Sequence, residues 1–226
     1  MWDRVYGHRE EKVFLKKYIE AQERPHALLF AGPNGLGKKK LALEFAKTML
    51  CLNGDGEDNC DSCRSINLIE GSYAHPDLII IGVEPDYTTI RIEQIKELIG
   101  KAAFAPVLSK NKICIVEDAD KMTDAAMNAF LKVLEEPPVG WIIILLAESE
   151  EKLLTTILSR VVRLRFKAVP ENEFLQALKE REISVDKAKV LHRMSEGSIG
   201  TALALADANI WEYRSTAIAF LEALPL

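Results

Sequence analysis

The 226-residue sequence contains no run of about 18 or more apolar residues, so nothing in it reads as a membrane-spanning helix. Its opening stretch, MWDRVYGHREEK, has no apolar core of the kind a secretory signal needs. Both absences predict a cytoplasmic protein with no membrane partner. A basic excess is missing too: 29 Lys and Arg stand against 34 Asp and Glu, a net charge of -5. A dominant non-specific nucleic-acid binder usually has the opposite balance, so any DNA contact must come from a local patch or from partner subunits. Cysteines number only four, and in a cytoplasmic chain they read as thiols or metal ligands rather than disulfides. What is present is an ordinary globular mixture, 48% hydrophobic and 28% charged, in a chain long enough to bury a substantial core.

The hydrophobic pattern alternates between two periods. Phe14, Leu15, Tyr18 and Ile19 have helical spacing over 9–22, and Ile92, Ile95 and Ile99 share one helical face over 91–103. Between such stretches lie short segments that read as strands: HALLFAG (26–32), buried, DLIIIG (77–82), KICIVED (112–118), apolar almost throughout, WIIILLA (141–147) and a short fifth, VRLRF (162–166). Further helices are predicted from Lys38 to Leu50 and over 123–136, the latter stopped by Pro137-Pro138. Strands alternating with helices predict an α/β fold, a parallel sheet covered on both faces. Residues 51–76 are polar and rich in Cys, Gly and Asp, and read as an inserted loop module. After Val169-Pro170 the strands cease. Residues 171–207 read as three short helices, with Gly197 and Gly200 marking a turn, and 209–224 as one more amphipathic helix.

Gly32-Pro33-Asn34-Gly35-Leu36-Gly37-Lys38 follows a strand and opens a helix, the context a phosphate-binding loop requires. Its glycines let backbone N–H groups curl around an anion, and Lys38 would reach the terminal phosphates. The plain alternative is a glycine-rich turn with no ligand. A working loop continues with Ser or Thr, whose hydroxyl ligates Mg²⁺. Here the next residue is Lys39, which places a positive charge where the metal would sit, so hydrolysis should be lost; alternatively its ammonium partly replaces the metal and holds phosphate alone. The third strand ends in Glu117-Asp118, the reverse of the usual acidic order after an apolar run, which displaces each carboxylate by one methylene. Magnesium tolerates poor octahedral geometry badly. A solvated acidic loop, or a cap for the helix at 123, is an equal reading of those two residues.

Three further segments complete a recognisable set. Val5-Tyr6-Gly7-His8 looks like the opening box of AAA+ clamp-loader subunits of bacterial DNA polymerase III. The helix from Met127 through Asn128 to Pro137-Pro138 is similar to their asparagine-to-diproline helix, and Leu158-Ser159-Arg160 resembles their Ser-Arg-Cys motif, with Val161 in place of the cysteine. The resemblance covers residues 4 to about 207. It implies an AAA+ P-loop core over 1–168, a three-helix lid over 169–207 and the start of a truncated helical collar over 208–226. It implies that Arg160 acts in trans as an arginine finger on ATP held by a neighbouring subunit. In the lid, Gly200 stands where active subunits carry an arginine, and Ala147-Glu148 replaces Ala-Thr at the end of the fourth strand. With Lys39 and Glu117-Asp118, these departures resemble the delta-prime branch. That branch implies weak or absent ATP binding at the degenerate site of Gly32, Gly35, Gly37, Lys38, Lys39, Glu117 and Asp118. The implied role is a stator within a DNA-directed DNA polymerase holoenzyme, partnered by gamma/tau and delta subunits, indirectly by the sliding clamp, and by primer-template DNA threaded through the ring. An active ATPase of the gamma/tau type, another AAA+ ATPase, or a plain nucleic-acid-binding module are the alternatives.

Cys51, Cys60 and Cys63 fall where such subunits carry a four-cysteine zinc module, and Ile66 replaces the fourth. Zinc with a substitute ligand (His75, Asp61 or water), a vestigial metal-free site, and ordinary loop thiols all remain open. Cys114, inside a strand, reads as a small core residue. Lys38, Lys39 and Lys40, and the scattered Lys101, Lys110 and Lys112, read as solvated surface before they read as DNA contacts.

Overall fold

The five predicted strands form one parallel sheet: β1 (Ala27–Ala31), β2 (Leu78–Ile81), β3 (Lys112–Val116), β4 (Trp141–Ala147) and β5 (Val162–Arg165), side by side in the order β2-β3-β4-β1-β5. The computed structural model describes residues 2–54, 56, 58, 60–67, 75–102, 104–208, 211, 216 and 220. The three inner strands are buried at every position, whereas β2 and β5, at the edges, are only partly covered. A strand buried on both faces favours apolar residues throughout, which is why β1, β4 and the Ile113–Val116 stretch of β3 read as unbroken hydrophobic runs; the exception is the buried Lys112 that opens β3.

Alternate residues of β1, β2, β3 and β4 feed two separate cores, whereas β5 turns Val162 and Leu164 to one of them only. Leu28 and Phe30 of β1 and Ile142, Ile144 and Leu146 of β4 pack against α1 (Arg9–Glu20) and α2 (Lys38–Leu50). There Phe45 is fully buried, edge-on to Tyr18 at 5.4 Å and to Trp2 at 6.3 Å. Truncating such a side chain costs about 3–5 kcal/mol. Leu29 of β1 and Ile143 and Leu145 of β4 face the other way, toward Ile95 and Leu98 of α4 (Ile92–Ala102) and Met127, Phe130 and Leu134 of α5 (Asp124–Glu135). A third apolar cluster, built on Phe174, Leu178, Ala188, Leu191 and Ala202, joins α7 (Glu171–Lys179), α8 (Val185–Met194) and α9 (Ile199–Asp207).

The expected strands and long helices lie within a few residues of their predicted bounds. Among the described residues, the sequence did not predict two short α-helices, α3 (Asp61–Asn67), inside the cysteine-bearing stretch, and α6 (Thr155–Leu158), nor two single 3-10 turns, Ala119–Lys121 and Glu150–Lys152. All are too short for a hydrophobic period to register. Gly197 does make a turn, at φ 76°, but Gly200 belongs to the first turn of α9. The helix expected over 209–224, and with it the collar at 208–226, lies outside the described residues except for isolated positions. Among the described residues no helix is long and apolar enough to cross a membrane.

The topology sets the site. Ala31 ends β1 level with Ala147 at the end of β4, and Val116 ends β3 opposite Leu145, two residues short of them, so Glu117 and Asp118 continue along the same edge. The loops that follow them must share one edge of the sheet, where open parallel sheets bind ligands.

Candidate nucleotide cleft and cysteine cluster

The sheet edge gathers Lys38, Lys39, Glu117, Asp118, Glu148 and Gly200 around one cleft of about 510 Å³. Every position singled out in the sequence as departing from an active site therefore lines the same space. Lys38 opens α2 but does not reach outward. It is buried, and its ammonium donates to the carbonyls of Gly32 and, at 2.8 Å, Pro33, inside the loop it belongs to. Burial holds its pKa below the ordinary lysine value, against the smaller opposing pull of Glu148, Asp120 and Asp118.

Lys39 occupies the position where a metal-ligating hydroxyl would stand. Its Nζ lies 2.8 Å from one carboxylate oxygen of Glu117 and 3.0 Å from the other. A bidentate contact of this kind uses the acidic group at the end of β3 that would otherwise face a cation. Asp118, in a left-handed conformation at φ 52°, pairs instead with Lys121 at 3.1 Å. The capping role considered for this acidic pair is not theirs: Thr123 caps α5, its Oγ1 accepting the Ala126 N–H at 3.2 Å. The cleft lining counts three lysines, 38–40, against three carboxylates, Glu117, Asp118 and Glu148. Its formal charges cancel, so a polyanion gains little long-range attraction there.

Two features of the cleft were not legible in the sequence. Asp120 is buried, and its Oδ1 accepts the backbone N–H of Glu148 at 3.2 Å, with Lys152 at 4.0 Å. It thereby fixes the end of β4. His8 is also buried; its Nε2 bonds the Leu36 carbonyl of the phosphate loop at 2.7 Å, and burial keeps its pKa below the ordinary value. The short polar residue in a loop after a strand was the available signal for Asp120.

The other wall is α9. The Gly200 N–H donates to the Gly35 carbonyl at 2.8 Å, and the Ser198 hydroxyl donates to the Asn34 carbonyl at 2.9 Å. A Cβ on Gly200 would stand 2.7 Å from the Gly35 Cα, so no side chain fits at this position while the helix rests on the loop.

Arg160 is not part of this cleft. It follows α6 on an exposed surface, where its guanidinium donates to the Thr156 carbonyl at 2.8 Å and the Ser159 hydroxyl at 3.2 Å and pairs with Glu135 at 3.0 Å. The lysines considered for DNA divide between two places: Lys38, Lys39 and Lys40 line the cleft, while Lys101 and Lys112 line a second depression, where Lys101 pairs with Glu97 at 2.7 Å and the buried Lys112 donates to the Phe104 carbonyl at 3.2 Å.

Cys51, Cys60 and Cys63 converge, and the cluster is compatible with structural zinc. Neither side chain proposed from the sequence as a substitute joins it. His75 is used on both ring nitrogens, by Ser62 Oγ at 2.9 Å and by the Asp77 N–H at 3.0 Å, and Asp61 pairs with Arg64. Ile66 is buried in the core beneath α2. The fourth group is Asp58, which spacing alone did not single out: it and the three sulfurs lie within 4.8 Å of one another. Cys114 is fully buried, as its strand position suggested, and burial pushes its thiol pKa up to about 12.

Comparison with known proteins places this geometry in context. A family profile described as DNA polymerase III, delta subunit, matches residues 7–170. The chain is 38% identical over 181 residues to the DNA polymerase III subunit delta' of Bacillus subtilis, covering 80% of this chain and 54% of that one. It is 33% identical over 210 residues to the subunit tau/gamma of Haemophilus influenzae, covering 90% of this chain and 30% of that one. The chain thus spans about half the length of the delta' relative. Among solved structures, the RuvB Holliday junction branch migration motor of Thermotoga maritima superposes with a TM-score of 0.61 over 91% of this chain and 62% of its own, at 15% identity, a likeness of fold alone.

Proposed function

Because the chain belongs to the DNA polymerase III delta subunit family, we propose that it is a delta-prime-type, non-hydrolysing subunit of the polymerase III clamp loader that lends Arg160 to ATP held by a neighbouring subunit. The observation behind this reading is the Lys39–Glu117 pair, 2.8 and 3.0 Å long, at the position of a nucleotide-bound metal. An ammonium cannot ligate Mg²⁺, and phosphoryl transfer by this class of site depends on that metal to neutralise the developing charge. The overlap of α9 with the phosphate loop at Gly200 and Gly35 supports the same reading, since an arginine reaching the γ-phosphate from that helix has no room.

The chemistry then moves to the opposite surface. Arg160 is outside its own cleft, exposed, and held by Glu135 and the Thr156 carbonyl, so its fork is ordered before a partner arrives. A guanidinium so placed can neutralise charge on a transferred phosphoryl group in a neighbouring site. Partners on this reading are gamma/tau and delta subunits, with the sliding clamp and primer-template DNA met through the assembled ring, in the cytoplasm.

A second reading, an active ATPase of the tau/gamma type, is favoured by the intact loop glycines and Lys38 and by the tau/gamma relative. The two separate on two ATPase measurements. The purified chain should show no MgATP turnover, while Arg160→Ala should slow ATP hydrolysis by the chain assembled with its partners. Ordinary turnover by the chain alone, or an unchanged assembled rate in the variant, defeats the stator reading.

A further inference from the structure

We propose that Asp58 is the fourth ligand of a closed Cys₃Asp zinc site formed with Cys51, Cys60 and Cys63. Tetrahedral zinc with bonds of about 2.3 Å to sulfur and about 2.0 Å to oxygen sets sulfurs roughly 3.8 Å apart and sulfur and oxygen roughly 3.5 Å apart. The chain already presents these spacings: Cys51 Sγ is 4.0 Å from Cys60 Sγ and 3.2 Å from Asp58 Oδ1. All four ligand atoms lie within 4.8 Å of one another.

The surrounding backbone is arranged for anionic ligands. The Cys63 N–H donates to Cys60 Sγ at 3.4 Å, and the Cys60 N–H donates to Asp58 Oδ1 at 3.3 Å. Such donors stabilise a thiolate and a carboxylate in the forms that bind metal. Asn53 Nδ2 donates to the other carboxylate oxygen, Oδ2, which leaves Oδ1 turned to the sulfurs and orients Asp58 as a single-oxygen ligand. The loop is brought there by Gly56, at φ 75°, where a Cβ would stand 2.9 Å from Thr48 Oγ1 of α2. The glycine lets the loop lie against the helix.

With three thiolates and one carboxylate the shell is complete, so the site is structural and has no open position for chemistry. It ties Cys51, the residue after α2, to Cys60 and Cys63 at the start of α3, and so braces the far end of the helix that begins at Lys38 and Lys39. Zinc binding releases the thiol protons, and the binding energy adds to the stability of this corner.

The test needs only the purified chain, zinc and cobalt(II), and is independent of the clamp-loader reading. Elemental analysis should find about one zinc per chain, and the cobalt(II) form should show tetrahedral d–d bands with thiolate charge transfer. Asp58→Ala and Asp58→Asn should speed zinc loss to a chelator by more than the 10–100-fold that loss of a mere outer-shell partner produces. Asp58→Cys should slow that loss and raise the charge-transfer intensity by about a third, from three thiolates to four. Asp61→Ala should change neither. Failure to take up zinc, or Asp58 variants with the parent's chelation rate and cobalt(II) spectrum, would overturn the assignment.

Discussion

Replacing Gly200 with alanine tests whether α9 is seated on the phosphate loop. In an exposed helix this change normally helps, by up to about 1 kcal/mol. At Gly200 the new Cβ meets the Gly35 Cα at 2.7 Å and its carbonyl oxygen at 3.0 Å, both backbone atoms that no rotamer change can move aside. Overpacking of this kind costs about 1–3 kcal/mol. Lifting the helix also breaks the Gly200 N–H bond to Gly35 and the Ser198 hydroxyl bond to Asn34, each worth about 1 kcal/mol net. The balance is a loss of about 2–4 kcal/mol, or a Tm lower by roughly 5–15 °C at this chain length. Gly100 provides the control, because it lies in α4 with open space where a Cβ would go. G100A should therefore stabilise by about 0.5–1 kcal/mol. Thermal unfolding of both variants, with hydrogen exchange at the loop amides, reads the contrast. If G200A melts at or above the parent, or its loop amides exchange no faster, α9 does not rest on the loop as described.

Three other outcomes are expected. Lys39→Thr should leave stability within about 1 kcal/mol, since the pair is partly solvated, while MgATP affinity rises by about tenfold or more and becomes magnesium-dependent; a fluorescent ATP analogue titrated with and without Mg²⁺ checks this, and an unchanged affinity means position 39 is not the metal position. Under the proposed role, Arg160→Ala should lower ATP turnover by the assembled complex by about 10³-fold while changing this chain's own stability by under about 0.5 kcal/mol, read by assembled ATPase and by melting of the chain alone. His8 should make the fold acid-sensitive. Burial lowers its folded pKa below 6.5, so between the folded and unfolded values the unfolded chain binds more protons, and stability falls as pH drops through that window. Urea midpoints at pH about 7.5 and about 5.5 should diverge less in His8→Gln than in the parent, and equal slopes would refute it.

Much of the fold was legible because the inner strands are buried on both faces and the helices on one. Those two burial patterns write themselves into the order of apolar residues over β1, β3, β4, α2 and α5. The phosphate loop was legible because its glycines, its lysine and the missing hydroxyl are consecutive. Asp58 was not, because a metal shell is a statement about distances between atoms separated by a loop, and one acid near two cysteines looks like any other. His75 and Asp61 were reasonable guesses on spacing, and only their existing hydrogen bonds and ion pair removed them. Gly200 misled for a related reason: a glycine near a helix start reads as a turn, whereas its use here is to let two backbones touch.

The sequence by itself determined which residues are apolar, where the chain turns from strand to helix, and that position 39 has no hydroxyl. These are local properties, encoded by neighbours in the chain. Only the tertiary structure decided that Lys39 meets Glu117, that α9 lies on the loop, that Arg160 stands outside its own cleft, and that Asp58 joins three cysteines. Each of those is a contact between residues brought together by the sheet order and by packing, and no run of adjacent residues specifies it.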